Sequence, residues 1–402
     1  MPVDIRISQR VTNLKPSATL AIDARAKELI AQGIDVVNLG AGEPDFHTPE
    51  PIREAAIAAI RDGFTRYTPV SGTADLRTAI ATALKRDQGL VYDPHKEIIV
   101  SVGAKHSLYN FFLAVLDPGD EAILPAPYWV SYPDMIGLAG AKAVIVGSTP
   151  EKGFVPDLDD VRKAVTAKTR VIVLNSPSNP TGAGYPREFI EGVAKLAVEK
   201  GLLIVSDEIY RDITYDGFVN TSPAELSPDA KAHTILVNGV SKTYAMTGWR
   251  IGFAAGDARV VKAMSTLQGQ STSNPTSIAQ VAAAAAFLAP REIVTGMVAE
   301  FRKRMEYVVG ALNAIPGVKC PRPRGAFYVF PDLSAHYGKK HAGKPITNST
   351  EMAAYLLEVG RVAAVAGGPF GADRHIRISF ATSMANLEKA VARIGDALGK
   401  LS

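Results

Sequence analysis

Short apolar runs alternate with amphipathic segments through the middle of the chain. Seven runs are rich in Val, Ile and Leu, as strands buried on both faces of a sheet are. They cover residues 97–102, 121–125, 143–147, 170–174, 202–206, 234–237 and 251–255. Segments with helical spacing of apolar residues, such as 158–167 and 187–200, lie between them. This alternation predicts an α/β domain whose mostly parallel, seven-stranded sheet is flanked by helices.

The pattern changes near residue 290. A long charged helix is predicted over residues 292–312, and a loop rich in Gly, Lys and His, a helix, a short strand at 376–380 and a last helix follow it. The first 45 residues also alternate short helix, loop and strand. We therefore expect a large domain over residues 46–290 and a smaller α+β domain made of residues 1–45 and 291–402.

Composition excludes several classes of protein. The 402 residues carry a net charge of +4 without any run of five like charges, which argues against a nucleic-acid arm or a membrane patch. The single cysteine, Cys320, permits no internal disulfide, and the seven histidines show no metal-ligand spacing, so no metal is expected. No secretion signal or stretch of about 18 apolar residues is present. The sequence predicts a soluble cytoplasmic protein.

The first candidate for chemistry is Lys242, which closely follows the apolar run at 234–237. Alone it is most simply interpreted as a solvated surface lysine. Its neighbours change that interpretation, because Ser241 and Arg250 are good ligands for a phosphate dianion. A cofactor that carries both an aldehyde and a phosphate accounts for all three residues, since a desolvated lysine is a nucleophile toward aldehydes.

Three other strand ends carry polar residues, and parallel sheets bind ligands at that edge. Asp207 follows the run at 202–206 and can pair with a pyridinium nitrogen, although a helix N-cap is an alternative role for it. Tyr210, three residues on, and Asn179, in a segment that also reads as a plain turn, could each bind a ring hydroxyl. Gly103 and Ala104 follow the run at 97–102 and open a helix pattern, where backbone N–H groups can hold phosphate.

Taken together, these segments resemble the class I aminotransferases, which are pyridoxal-phosphate (PLP) enzymes of fold type I. The resemblance rests on Ser-Lys-Thr-Tyr-Ala-Met-Thr-Gly-Trp-Arg at 241–250, in register with Asp-Glu-Ile-Tyr at 207–210 and Asn-Pro-Thr-Gly at 179–182. It extends nearly from end to end of the chain. The likeness is strongest to the branch that contains bacterial and plastid aspartate and prephenate aminotransferases.

The resemblance implies a role for each matching residue. Lys242 would bind the cofactor aldehyde and then act as general acid and base, while Asp207 would pair with the ring nitrogen. The remaining cofactor contacts implied are Gly103, Ala104, Lys105, Trp129, Asn179, Tyr210, Ser241, Arg250 and, from the neighbouring subunit of a homodimer with shared sites, Tyr67. Without the family, Trp129 would be interpreted as a core residue.

The resemblance also implies a dicarboxylic substrate. Arg377 and the backbone of Gly42 would hold the α-carboxylate, with Trp129 and Asn179 beside it, although Arg377 alone would be interpreted as an exposed strand residue. Lys105, otherwise a surface lysine at a helix start, matches the residue that binds the distal carboxylate in this branch. Lys15 and Thr19 match positions tied to prephenate use.

We therefore expect amino transfer between aspartate or glutamate and their 2-oxo acids, with prephenate as a further substrate. An aromatic aminotransferase or a C–S lyase of the same fold is the main alternative, since such an enzyme would need no clamp for a distal carboxylate. A ligand sensor fused to a DNA-binding domain is disfavoured, because only about 45 residues precede the predicted large domain, and they lack a helix-turn-helix pattern.

Overall fold

The structure, a computed structural model, describes residue 3, residues 5–12, residue 14 and residues 18–402, without the side chains of residues 18–20. Its strands are β1 (Val37–Asn38), β2 (Ile98–Val102), β3 (Glu121–Pro125), β4 (Lys142–Val146), β5 (Thr169–Asn175), β6 (Leu203–Asp207), β7 (Thr234–Gly239), β8 (Ile251–Ala255), β9 (Tyr328–Val329), β10 (Lys340–His341), β11 (Lys344–Pro345), β12 (Val362–Ala363), β13 (Val365–Ala366) and β14 (Ile376–Ser379). The seven predicted runs are β2 to β8, so those predictions are confirmed to within two residues at each end.

The α-helices surround these strands. They are α1 (Gln9–Thr12), α2 (Ala18–Ala31), α3 (Glu50–Arg61), α4 (Ala74–Gln88), α5 (Ala104–Val115), α6 (Ser131–Leu138), α7 (Leu158–Ala164), α8 (Arg187–Lys200), α9 (Pro228–Ala232), α10 (Ala258–Gly269), α11 (Ser277–Leu288), α12 (Glu292–Asn313), α13 (Ser349–Glu358) and α14 (Met384–Gly399). Short 3-10 helices lie at Pro150–Lys152, Pro223–Glu225, Thr247–Trp249, Ser334–His336 and Gly368–Phe370.

Strands β2 to β8 form one sheet in the order β2-β8-β7-β6-β5-β3-β4. Only β8 runs against its neighbours, and the other pairs are parallel. The predicted mostly parallel sheet is thus confirmed. Because parallel strands end at the same edge, the residues after β5, β6 and β7 are brought together there.

Both faces of this sheet are covered, which explains the almost unbroken apolar runs. Ile98 and Val100 pack on one face with α3, α4 and α11, whereas Ile99 packs on the other with α5, α6 and α10. Further along the sheet, Ile172 and Ile204 pack against α7 and α8. The helices are therefore fixed against a rigid sheet, and the loops at its edge start from anchored positions.

A second core lies around the three-stranded antiparallel sheet β13-β14-β9 and helices α12 and α14. Strand β1 joins it by pairing with β12, where Val37 is opposite Val362. The N-terminal segment therefore returns to the C-terminal part of the chain. On this basis we propose the division into a large domain, 46–290, and a small domain, 1–45 with 291–402.

Two further observations bear on the class of protein. Across the described residues, a single helix long and apolar enough to span a membrane is not found. Helices α11 and α12 pass that test only as a pair, and the pair is bent by 83°. In the same residues, no group of three or more His, Cys, Asp or Glu side chains is placed to hold a metal ion.

Candidate active site

A cavity of about 410 Å³ opens where the parallel strands end. It brings together most of the residues that the sequence singled out. The predicted residues that line it are Gly42, Ala104, Lys105, Trp129, Asn179, Asp207, Tyr210, Ser241, Lys242, Arg250 and Arg377. Segments far apart in the chain therefore converge on one volume.

One end of the cavity is formed by the start of α5 and the residue that packs against it. Gly103, the N-cap, has a φ of +83°, and a Cβ there would lie 2.5 Å from a guanidinium nitrogen of Arg250. Arg250 is itself held by the carbonyl oxygens of Thr247 and Val102, at 2.9 and 3.4 Å. The first-turn N–H groups of a helix lack intrahelical acceptors. Gly103, Arg250 and the N-terminus of α5 therefore form a cradle that is suited to an anion.

Lys242 lies between this cradle and the substrate side of the cavity. Its Nζ donates a hydrogen bond to the Gly42 carbonyl oxygen at 2.6 Å. Burial, together with the positive charges of Arg250 and Arg377, lowers the lysine pKa to about 8, against the opposing effect of Glu43 and Asp207. The surface-lysine interpretation is wrong, because Lys242 is a desolvated amine in a cavity.

Asp207 ends β6 and is 4% exposed. Tyr132 donates a 2.6 Å hydrogen bond to one carboxylate oxygen, and the backbone N–H of Ile209 donates to the other at 3.2 Å. Burial raises the Asp207 pKa to about 6, although these hydrogen bonds oppose the rise. The N-cap alternative is wrong, because a turn and not a helix follows the residue.

Arg377 is the largest fully buried side chain among the described residues, at 1% exposure. It donates to Asn179 Oδ1 at 2.9 Å and to the Gly40 carbonyl oxygen at 2.7 Å, and it lies against the Tyr328 ring, 4.6 Å from its centroid. Its Nε, also buried, has no hydrogen-bond partner in this structure. Desolvation lowers the Arg377 pKa. The interpretation as an exposed strand residue is wrong, and the partnerless Nε of a cationic side chain that lines the cavity can donate to a bound anion.

The side chains of Lys105 and Trp129 meet in the same cavity. The lysine Nζ lies 5.0 Å from the centroid of the indole ring. Desolvation lowers the Lys105 pKa, and the charge of Arg250 adds to that effect. Trp129 is only partly buried, with its ring on the cavity, so it is not a plain core residue. The pair supplies a flat aromatic surface next to a cationic side chain.

Tyr210 lies deep in the cavity with a partner that sequence reasoning missed. Its hydroxyl is 2.9 Å from that of Tyr328, and both residues are buried. Burial raises the Tyr210 pKa well above its ordinary value. The phenol therefore stays protonated at neutral pH and can donate a hydrogen bond.

Two other residues were missed, and the sequence held a signal for each. Asn175 is paired with Asp207 across β5 and β6, and it donates to the Asp207 carbonyl oxygen at 3.1 Å. Its place at a strand end next to Asp207 could have been predicted from the parallel sheet. Tyr132 follows Trp129 by three residues, a spacing that puts both on one side of a helical turn.

Two predicted residues that the structure describes, Gly103 and Tyr67, are not among the lining residues of their own chain's cavity. Gly103 lies behind Arg250, and Tyr67 is 92% exposed on a loop. Lys15 lies outside the described residues, and so does the side chain of Thr19. The roles given to these residues stay predictions.

The site geometry agrees with comparisons to known proteins. Residues 34–394 match the family model of class I and II aminotransferases. The chain is 48% identical to an aspartate aminotransferase of Bacillus sp. (strain YM-2), over 96% of this chain and 98% of the relative. It is also 48% identical to an aspartate/prephenate aminotransferase of Nitrosomonas europaea, over 98% and 100% of the two chains.

Solved structures extend the likeness to the fold. An aspartate aminotransferase of Thermus thermophilus, determined with maleate, superimposes with a TM-score of 0.91 at 46% identity, and the match covers 98% of this chain and 100% of that one. The chain belongs to the class I and II aminotransferase family. The fold predicted from the resemblance is confirmed.

The depressed pKa of Lys242 gives a test on the cofactor-free protein. Only the neutral amine attacks an aldehyde, so covalent attachment of PLP should speed up as the pH rises through about 8. The attachment rate would be followed by absorbance in stopped flow at a series of pH values. A midpoint near 10.5, the ordinary value for lysine, would show that the cavity does not desolvate Lys242 in solution.

Proposed function

We propose that this protein is a PLP-dependent aspartate aminotransferase. One observation carries the proposal. Lys105, Lys242, Arg250 and Arg377 all line the cavity, whereas Asp207 is the only carboxylate among its described lining residues. Cations gathered around one cavity attract anionic ligands, most strongly beside the buried Arg377. A phosphorylated cofactor and a dicarboxylic substrate would supply the anions that the cavity lacks.

The residues present fit this cofactor. Gly103, Ala104, Ser241 and Arg250 would hold its phosphate. Glycine is required at position 103, because a side chain there would collide with the Arg250 guanidinium. Trp129 would lie on the ring face, and Asn179 and Tyr210 would approach the ring hydroxyl. PLP, when bound, supplies an aldehyde that takes up the amino group and a ring that withdraws electrons from the substrate Cα.

The chain's own groups have separable tasks in the reaction. Asp207, buried and held by Tyr132, would keep a proton on the ring nitrogen, because a carboxylate in a dry site attracts an adjacent N–H strongly. Lys242, with a pKa of about 8, exchanges between amine and ammonium near neutral pH, and this suits it to move a proton at the substrate Cα.

The positions of Arg377 and Lys105 in the cavity indicate the class of substrate. The free Nε of Arg377, together with the Gly42 backbone, would bind the α-carboxylate, and Lys105 would bind the distal carboxylate. That assignment fits aspartate, glutamate and their 2-oxo acids. Relatives named for both aspartate and prephenate support prephenate as a further substrate, since it is also a dicarboxylate.

A homodimer in the cytoplasm completes the proposal. Tyr67, which is almost fully exposed in one chain, would reach the phosphate in the partner's site. The alternative is an aromatic aminotransferase or C–S lyase of the same fold. It is less favoured, because it would leave the second cation, Lys105, without an anion.

The proposal is tested by a single half-reaction. Purified holoenzyme would be mixed with L-aspartate without any oxo acid, with Lys242→Ala as the control. We expect the absorbance of the aldehyde form of the cofactor to change to that of the amine form in the wild type only, because the variant lacks the proton-transfer group. Prephenate added to the amine form should restore the aldehyde form. A response to aromatic or sulfur amino acids, with none to aspartate, would favour the alternative.

Lys105→Met separates substrate binding from cofactor binding. Loss of a hydrogen bond between charged groups should lower kcat/KM for aspartate by about 10- to 100-fold. Activity with L-alanine, which has no distal carboxylate, should stay within about threefold. Lys142→Met is the matched control, since Lys142 is exposed on β4. Equal losses with both amino acids would assign Lys105 to the cofactor and not to the substrate.

A further inference from the structure

Two buried glutamines outside the cavity, Gln268 and Gln280, have every side-chain N–H hydrogen-bonded. Both are 0% exposed. Gln268 lies in the last turn of α10, a helix that packs on β2, and Gln280 lies in the first turn of α11. Buried amides are costly unless they are satisfied, and a core of this kind is usually apolar. Their partners therefore indicate what the amides hold in place.

Gln268 links the sheet to a loop. Its Nε2 donates to the Val100 carbonyl oxygen on β2 at 2.8 Å and to the Val70 carbonyl oxygen at 2.7 Å. Its Oε1 accepts from Asn110 of α5, the helix that begins at the phosphate cradle, at 3.1 Å. Because both Nε2 partners are carbonyl oxygens, the orientation of the amide is fixed.

Gln280 holds the same loop a few residues away. Its Oε1 accepts from the Thr73 N–H at 2.8 Å, and its Nε2 donates to Thr68 Oγ1 at 2.9 Å and to the Pro275 carbonyl oxygen at 2.8 Å. In addition, the Ser277 hydroxyl donates to the Phe64 carbonyl oxygen at 2.9 Å. These bonds fix the loop on both sides of residues 65–67.

The loop also closes the edge of the large sheet. The Val100 N–H donates to the Ser71 carbonyl oxygen at 3.0 Å, so the loop covers the free side of β2. Gly72, with a φ of +95°, allows this approach, since a Cβ there would lie 2.8 Å from the Val100 side chain. Residues 65–67 are left as an exposed tip between anchored ends.

We propose that Gln268 and Gln280, with Thr68, form an amide clamp that positions Tyr67 for its contact in the partner's site. The inference rests on the proposed function, in which Tyr67 reaches that phosphate. Tyr67 adjoins Thr68, which the clamp holds directly. Through Asn110 the clamp is also joined to the helix of its own chain's cradle. The clamp thereby connects the active site of its own chain to Tyr67, the residue that the same chain contributes to the partner's active site.

The clamp is tested by binding, without turnover. Pyridoxamine 5′-phosphate, which cannot react with Lys242, would be titrated into the full-length cofactor-free protein, and quenching of tryptophan fluorescence would give its dissociation constant. The variants are Gln280→Leu, Tyr67→Phe and the double variant. Thr68→Val removes one clamp bond with little change of shape, and it serves if Gln280→Leu does not fold. Thr82→Val on the exposed side of α4 is its matched control.

A positioning role predicts non-additive effects. Tyr67→Phe and Gln280→Leu should each weaken binding about tenfold, and the double variant should be no weaker than Tyr67→Phe within about twofold. Thr68→Val should weaken binding about threefold and Thr82→Val should leave it unchanged. Hydrogen exchange of residues 64–73 should be faster than in the wild type in Gln280→Leu and in Thr68→Val, and unchanged in Tyr67→Phe and Thr82→Val.

The contrary outcomes are distinct. Additive losses in the double variant would show that the glutamine acts through general stability, and would overturn the clamp while leaving the proposed contact of Tyr67 intact. If Gln280→Leu or Thr68→Val left the binding of pyridoxamine 5′-phosphate unchanged, that result would also overturn the clamp and leave the proposed contact of Tyr67 intact. A Tyr67→Phe variant that binds as tightly as wild type would overturn the Tyr67 contact, and the clamp with it.

Discussion

An excess of positive charge around one cavity is the constraint on which the rest of the site depends. Four cationic side chains line one cavity with a single carboxylate, and burial lowers the pKa values of Lys105, Lys242 and Arg377 together. A protein does not gain stability from such an arrangement, because like charges around one cavity repel each other and desolvation adds a cost at Lys242 and Arg377. The cost is offset when anions bind, so the charge pattern itself describes the ligands: a phosphate at the α5 end and two carboxylates elsewhere.

The scaffold keeps these charges from relaxing away from each other. Asn175 and Asp207 lie opposite each other at the ends of β5 and β6, and the packed faces of the sheet fix the loops that follow. Arg377 is held by Asn179 and by a backbone carbonyl oxygen, and its buried Nε is left without a partner in a fixed direction. Such preorganisation is what a site needs if binding energy is to be used on the reacting atoms and not on ordering side chains.

Much of this could be predicted from the sequence. The seven buried strands follow from their apolar runs, and polar residues at strand ends are expected at the ligand edge of a parallel sheet. Asp207 and Lys242 could be found in that way. The burial of Arg377 could not, because β14 alternates apolar Ile376 and Ile378 with polar Arg377 and Ser379, a pattern that predicts one solvent-facing side. What covers that side comes from segments near residues 40, 179 and 370. Tyr328 was missed for the same reason, since its contact with Tyr210 joins two separate parts of the chain.

Other features lie beyond any local pattern. Gln268 and Gln280 stand in helices as ordinary polar residues, and only the tertiary structure shows that they are fully buried against a loop some 200 residues earlier. The exposed Tyr67 presents the opposite case, in which the family resemblance assigns a role that a single chain does not display.

A map of the covalent attachment site would show directly whether Lys242 carries the cofactor. Holoenzyme would be treated with borohydride, which fixes the bond between cofactor and lysine, and then digested and analysed by mass spectrometry. We predict one reduced cofactor per chain, on the peptide that contains Lys242. Attachment at Lys105, the other lysine that lines the cavity, or no attachment at all, would show that Lys242 is not the cofactor-binding residue.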